Sequence, residues 1–330
     1  MYDLSNVVIT SSPHIKSSED TRSIMLDVVI ALIPSLCVST YVFGPRAIVM
    51  TLVSIIACVL FEAAYDKILK KPSTIGDLSA VVTGTLLAFV VPVTLPYWML
   101  IIGAGISMIF AKCLFGGLGK NFINPALAGR AFLMASWPVA MTTWVAAHGS
   151  VSLGSTADAV SVATPMAILK GTSDDTLPSL LNMFLGQIGG SMGEVSALAL
   201  LVGGAYLLYR KVITIHIPAA YILTVAVLTL IAPTGGLSNI QSMLYNVFGG
   251  GLMLGAIFMA TDYVTSPVSK KGQVVFGIGC GLLTFMIRKW GGYPEGVCYS
   301  IMIMNCTVWL IDKYTRPTKF GAPAKQKKEG

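Results

Sequence analysis

Charge is scarce in this chain. Asp, Glu, Lys and Arg make up 11% of its 330 residues, whereas about a quarter of a soluble domain is charged. With 55% hydrophobic residues and a mean hydropathy of +0.76, a water-soluble fold would have nowhere to place its apolar surface, so the soluble classes are excluded. Cysteine is dispersed. Cys37, Cys58, Cys113, Cys280, Cys298 and Cys306 lie in or beside apolar stretches with no C-x-x-C spacing. That supports neither a disulfide framework nor a zinc or iron–sulfur centre, and it suits thiols packed as small hydrophobes. No G-x-G-x-x-G sequence opens a strand–helix unit, so nothing marks a dinucleotide site. No short N-terminal apolar segment ends in a small-residue cleavage site, and the first helix is expected to be retained.

What is present is a succession of apolar segments near the length of roughly 20 residues that a membrane span needs. They run Ile24 to Phe43, Ala47 to Tyr65, Leu78 to Leu95, Tyr97 to Phe115, Ala126 to Ala147, Val195 to Tyr209, Val212 to Ala232, Val247 to Ala260, Val274 to Ile287 and Val297 to Ile311. The net charge of +7 would suggest nucleic acid in a soluble protein. Here the basic residues sit in short loops and read as topology determinants, so no nucleic-acid partner is expected.

Cytoplasmic loops carry an excess of Lys and Arg. With the N-terminus inside, the inner segments collect Lys16, Arg22, Lys67, Lys70, Lys71, Lys112, Lys120, Arg130, Arg210, Lys211, Lys270, Lys271 and the basic tail from Lys313 to Lys328. The outer loops receive Arg46, Lys170, Arg288 and Lys289. The long loop from about 148 to 194, with Asp158, Asp174, Asp175 and Glu194, falls outside and is acidic.

The two halves resemble each other. Gly103-Ala-Gly105, then Lys112, then Gly116-Gly117 is matched by Gly279-Cys-Gly281, then Arg288, then Gly291-Gly292. An odd number of spans per half makes such a repeat inverted in the membrane, which accounts for Arg288 and Lys289 as exceptions to the charge count. Such repeats place a site at their interface near the midplane. The expected fold is therefore an all-α integral membrane protein of about ten transmembrane helices in two inverted five-helix repeats. Repeat one covers about 24–147, an outer loop 148–194, repeat two 195–311 and a cytoplasmic tail 312–330, all in one membrane domain.

Three segments could carry chemistry. In Gly119-Lys-Asn-Phe-Ile-Asn-Pro-Ala-Leu-Ala-Gly-Arg130, Asn121 and Asn124 would share a face if the turn is helical. Asn124 before Pro125 is equally a helix N-cap with proline first. Arg130, several residues into an apolar segment, either lines a polar cavity and pairs with an anion or snorkels to the inner surface. In Thr261-Asp262-Tyr-Val-Thr265-Ser266-Pro267, the carboxylate could hold a small cation or could bond its own backbone in a turn; Asp27 has the same two readings. In Asp158-Ala-Val-Ser161-Val-Ala-Thr164-Pro165, proline pushes Thr164 toward extended backbone, from which it would cap a short helix through Met166, Ala167 and Ile168.

GKNFINPALAGRAFLMASWP, DAVSVATP and ATDYVTSP, in that order between apolar spans, resemble the RnfD family, the D-type membrane flavoprotein of the Rnf complex. That family is related to NqrB, the B-type component of the sodium-pumping NADH:quinone oxidoreductase. The likeness runs essentially end to end. It implies that Thr164 carries FMN through a phosphodiester bond made by a separate flavin transferase, with Asp158, Ala159, Ser161 and Ala163 as matching motif positions. One position departs: the glycine of the family motif is Val162 here, and a β-branched residue is the stiffer of the two.

The resemblance also implies a second, noncovalent flavin (riboflavin) within the membrane region, with Asn121, Asn124 and Arg130 as candidate contacts. The expected function is a flavin-bearing electron-transfer subunit of an ion-translocating ferredoxin:NAD oxidoreductase, coupled to Na+ or H+ transport and incomplete as an enzyme by itself. NAD and ferredoxin would be handled by flavin-carrying and iron–sulfur subunits of the complex. The expected place is the cytoplasmic membrane of a bacterium or archaeon, embedded in lipid, with both termini inside and the flavin loop outside. No metal site is expected beyond Asp262 and Asp27 as candidate ion ligands. A small-solute transporter or channel on the same repeat is the alternative.

Overall fold

Uninterrupted apolar runs fold as the long helices, and glycine, proline and polar residues decide where the others stop. The computed structural model describes residues 20–149, 161–173, 175–293 and 295–316. α1 (Thr21–Phe43) and α2 (Arg46–Ile68) are 23 residues each. A capping box between Asp20 and Ser23 opens α1, and Gly44 at φ 79° turns the chain into α2. α3 (Ser79–Phe89) ends before Pro92 and Pro96, and α4 (Tyr97–Gly105) continues as a π-helix, Ile106–Cys113. α5 (Pro125–Ser136) stops where Pro138 begins the short α6 (Pro138–Thr142). Strand β1 (Trp144–Val145) pairs antiparallel with β2 (Ser161–Val162), Trp144 opposite Val162.

Two short helices follow, α7 (Pro165–Leu169) and α8 (Leu180–Leu185), and then α9 (Ala197–Tyr209), α10 (His216–Ile231) and α11 (Asn239–Phe248). Gly250 and Gly251, at φ 63° and 69°, let the chain bend by 60° into α12 (Leu252–Leu254), which continues as a π-helix, Gly255–Met259. α13 (Lys270–Trp290) and α14 (Val297–Thr315) complete the described chain.

The predominantly helical, apolar chain is as expected, and the row of full-length spans is seen in part. Among the described residues α1 and α2 are long and apolar enough to cross a membrane, and α11 with α12 forms a third if the bent pair counts as one. Leu78 to Leu95, Ala126 to Ala147 and Val247 to Ala260 each read as one span by hydropathy, and each is broken. The reason is visible at residues 90–96, which are as apolar as a span yet not helical. Irregular backbone at such depth must find partners within the protein. Arg46 Nε donates to Val93 O at 2.8 Å, and the N–H groups of Met192 and Gly193 donate to Val91 O and Phe89 O at 3.2 and 2.9 Å.

Small residues seat the helices against one another. A Cβ at Gly203 of α9 would lie 2.1 Å from Ala31 O of α1, and one at Gly277 of α13 would lie 2.8 Å from Ala220 Cβ of α10. Leu26, Ile30 and Ile33 on α1 and Leu52, Ile56 and Leu60 on α2 stay exposed, an apolar outer face of the kind lipid covers.

Polar chain collects at two opposite ends. One gathers Arg46 with Val93 and Leu95, Lys170 with Tyr293, Arg288 with Gly249 and Gly250, and Ser35 and Ser39 with Gly193 and Met192. The other gathers Lys112 with Glu62 and Ser79, Arg210 with Asp27, and Thr214 with Gln273. Arg46, Lys170 and Arg288, three of the four basic residues that the charge count assigns outside, thus donate to main-chain carbonyls of their own fold.

Candidate functional site

Thr164 is placed by its neighbours in sequence. Val162, two residues earlier, is fixed in β2 against Trp144. Pro165 takes the first position of α7, and Thr164 holds extended backbone (φ −70°, ψ 153°) while its hydroxyl accepts the Ala167 N–H at 3.3 Å. The cap expected from sequence therefore forms. Thr164 is only 4% exposed and lines a small cavity with Ser191, Glu194, Gly250 and Glu295. The backbone of Ser161 pairs with Val145; its side chain, and all of Asp158, lie outside the described residues.

Two carboxylates of this cavity hold Arg130. Its Nη1 donates to Glu194 Oε1 at 2.9 Å and its Nη2 donates to Glu295 Oε2. Of the two readings open from sequence, pairing with anionic groups is the one that forms, and Arg130 does not snorkel to the surface. A buried arginine with two carboxylates is retained only where each charge is matched, since desolvating it alone is costly. Arg288 binds the chain at Gly250: its Nη2 donates to Gly249 O and Gly250 O at 3.0 and 3.1 Å, and its Nη1 donates to Asn246 O at 2.5 Å. Lys170, just after α7, donates to Tyr293 O at 3.0 Å and to Gly291 O, tying this segment to the C-terminal end of α13. Burial lowers the Lys170 amine from its ordinary value.

At the opposite end, Asn121, Asn124 and Asp262 line one cavity together with Thr83, Lys112 and Phe258. Residues 121–124 are not helical, so the shared helix face expected for the two asparagines does not exist; the cavity brings them together instead. Asn124 caps α5, its Oδ1 accepting from Ala126 N and Leu127 N at 3.0 and 3.4 Å, and its Nδ2 reaches Met259 O at 3.3 Å. Asn121 Nδ2 bonds Ile123 O at 3.3 Å, while its Oδ1 is buried without a partner. Asn305 of α14, with its amide set to satisfy the network, donates to Thr265 O at 3.0 Å and accepts from Asn124 N at 3.2 Å. The asparagine-rich and ATDYVTSP segments, far apart in sequence, thus share one network.

Asp262 accepts from the Thr265 hydroxyl at 3.0 Å, the local turn reading. Asp27 stands apart from this cavity, accepting from Tyr206 at 2.8 Å and from Arg210 Nε and Nη2, both at 3.1 Å. Among the described residues no three His, Cys, Asp or Glu side chains come together as a metal site. Lys112 Nζ donates to Glu62 Oε1 and Ser79 Oγ, both at 2.6 Å, at the margin of the asparagine cavity.

Sequence reasoning missed Glu295, Asn305 and the Lys112–Glu62 pair. Glu62 in the apolar run of α2 and Asn305 in that of α14 were the available signals, because a polar group within a span needs a partner.

The profile of the NQR2, RnfD, RnfE family matches residues 8–321. The chain is 47% identical over 326 residues to the D component of the Na(+)-translocating ferredoxin:NAD(+) oxidoreductase complex of Acetobacterium woodii, covering 98% of each chain. It is 45% identical to the D component of the proton-translocating ferredoxin:NAD(+) oxidoreductase complex of Clostridium ljungdahlii, covering 95% of this chain and 96% of that one. With the D component of the ion-translocating oxidoreductase complex of Ectopseudomonas mendocina it shares 37% identity, over 94% and 95%. The chain belongs to the NQR2, RnfD, RnfE family.

Proposed function

We propose that this chain is the D-type subunit of an ion-translocating ferredoxin:NAD oxidoreductase complex and relays electrons through FMN attached to Thr164. The observation that carries the reading is the setting of Thr164, a buried hydroxyl facing a cavity rimmed by Glu194 and Glu295, with Arg130 bound to both carboxylates and Arg288 bound to Gly250. Residues of this setting fit a phosphodiester-linked flavin. Val162 replaces the glycine of the family motif, yet it lies in strand β2, a backbone conformation that a β-branched residue favours. The departure is therefore compatible with the local backbone. Arg130 offsets the charge of Glu194 and Glu295 at the cavity rim, and Arg288 holds the Gly249 and Gly250 carbonyls beside it.

FMN bound there would supply reversible electron transfer. The chain's own part is to hold the attachment residue at the start of α7, to fix the charges around it and to keep it apart from the second site. At that second site Asn121 offers the amide that a noncovalent flavin such as riboflavin would bond, while Asn124 and Asn305, engaged with the main chain, shape the wall around it. Asn121 Oδ1, buried without a partner, is the acceptor such a ligand would meet.

The architecture supports an inverted repeat that pairs α1 with α9, α2 with α10, α3 with α12, α4 with α13 and α5 with α14. Lys112 and Arg288, the basic residues matched between the halves, each hold the start of the broken third element, at Ser79 and at Gly250. Pro96 and Pro267 close the irregular stretch after that element in both halves. In this reading the Thr164 end faces outward from the cytoplasmic membrane and both termini lie inside. Flavin-carrying and iron–sulfur subunits handle ferredoxin and NAD, a flavin transferase loads Thr164, and electron flow is coupled to Na+ or H+ movement.

Peptide-mass analysis of the chain purified from its own host tests this. A mass increment equal to the FMN moiety on the Thr164 peptide, absent from Thr164→Ala, supports it. A colourless chain without the adduct would instead favour a solute transporter using the cavity around Asn121.

A further inference from the structure

We propose that the cleft beside Arg130 seats the isoalloxazine ring of the flavin carried by Thr164, and that the Arg130–Glu194–Glu295 cluster sets its electron affinity. The inference rests on the flavin reading above and adds residues to it. A second cleft, open to its surroundings, lies next to the Thr164 cavity and is lined by Arg130, Met134, Trp144, Tyr293, Glu295 and Tyr299.

Three aromatic rings face the cleft. Tyr293 and Tyr299 lie 5.1 Å apart between centroids at 31°, and Trp144 comes from β1. Flat apolar walls with a polar edge suit a planar fused ring, which stacks by its faces and bonds at its rim. Two links join this cleft to Thr164. Glu295 lines both cavities. Trp144 is paired through the main chain with Val162, two residues before Thr164. A group anchored at Thr164 therefore has an aromatic cleft beside its anchor, and the same carboxylate borders both.

The charges at this border are fixed. Arg130 is held by Glu194 at 2.9 Å and by Glu295, so one cation and two carboxylates stand at the edge of the cleft. Fixed charge near a bound flavin tunes its potential. Removing one carboxylate favours the electron-rich form and moves the potential upward.

The test uses the full chain in membranes of its own host, as wild type, Trp144→Leu, Tyr299→Leu, Tyr299→Phe and Glu295→Gln. Each is measured for the mass adduct on the Thr164 peptide, for flavin fluorescence in the native state and for the midpoint potential of the bound flavin. An indole or phenol stacked on a flavin quenches its emission by electron transfer. The adduct is expected in every variant. Fluorescence is expected to rise several-fold in Trp144→Leu, Tyr299→Leu and also Tyr299→Phe, because a phenyl ring keeps the packing but cannot donate the electron that quenches. A positive shift of the potential is expected in Glu295→Gln. If either leucine variant is lost from the membrane, the other gives the same reading. Variants that keep the adduct but leave both fluorescence and potential unchanged would overturn the proposal while leaving the flavin on Thr164 intact. A wild-type chain without adduct overturns the flavin reading, and this inference with it.

Discussion

Arg130 Nη1 lies 2.9 Å from Glu194 Oε1, across a sequence separation of 64. This contact joins the helix that begins at one cavity to the loop that borders the other, and it makes Arg130 the link between the two ends of the molecule. Replacing Arg130 by Met leaves Glu194 and Glu295 buried without their cation, a loss of about 3–5 kcal/mol. Thermal unfolding in detergent is expected to fall sharply for Arg130→Met. The double variant Arg130→Met/Glu194→Gln should recover part of the loss, and a strictly additive loss would contradict a coupled pair.

The Lys112–Glu62 pair is the counterpart at the other end, with side chains 2% and 1% exposed. Lys112→Met strands the Glu62 carboxylate, whose Oε2 already lacks a partner, and should also cost about 3–5 kcal/mol. Glu62→Gln combined with Lys112→Met should restore much of it. Stability of the purified chain against heat or denaturant measures both.

Gly203 fixes the approach of α9 to α1. Any side chain there meets the Ala31 carbonyl, since a Cβ would sit 2.1 Å from that oxygen. Gly203→Ala is expected to destabilise by about 1–3 kcal/mol through overpacking, whereas Gly117→Ala, with nothing within 4 Å, is strained by its φ of 87° alone. Comparing the two by thermal unfolding separates close packing from backbone strain.

Asn121 separates binding from stability. Its Oδ1 has no partner and its Nδ2 makes one bond to Ile123 O, so Asn121→Ala should cost only about 1 kcal/mol. The same substitution is expected to reduce the noncovalent flavin released on denaturation, with the Thr164 adduct unchanged. Equal release from wild type and variant would remove Asn121 from the second flavin site.

Residues whose structure depends on near neighbours were legible in the sequence. Asn124 and Thr164 cap their helices because each precedes a proline, and α1 and α2 follow from continuous apolar runs. The breaks were not legible. Residues 90–96 carry Val90, Val91, Val93 and Leu95, all buried, and hydropathy cannot tell an apolar loop from an apolar helix. Only the partners of its carbonyls, Arg46 and the Met192–Gly193 segment, reveal the difference, and they come from elsewhere in the chain. The same holds for the site. Arg130 announces that it needs an anion, but Glu194 and Glu295 are brought to it by the fold. The asparagines and ATDYVTSP looked unrelated until Asn305 joined them.

The group carried by Thr164 decides the matter most directly. Intact-mass and peptide-mass measurement of the denatured chain from its own host, beside Thr164→Ala, reads it out. A flavin-bearing chain shows a covalent increment equal to the FMN moiety on the peptide containing Thr164 in the wild type and none in the variant, and this is the predicted result. An unmodified Thr164 peptide, in cells that contain the flavin transferase, would contradict it.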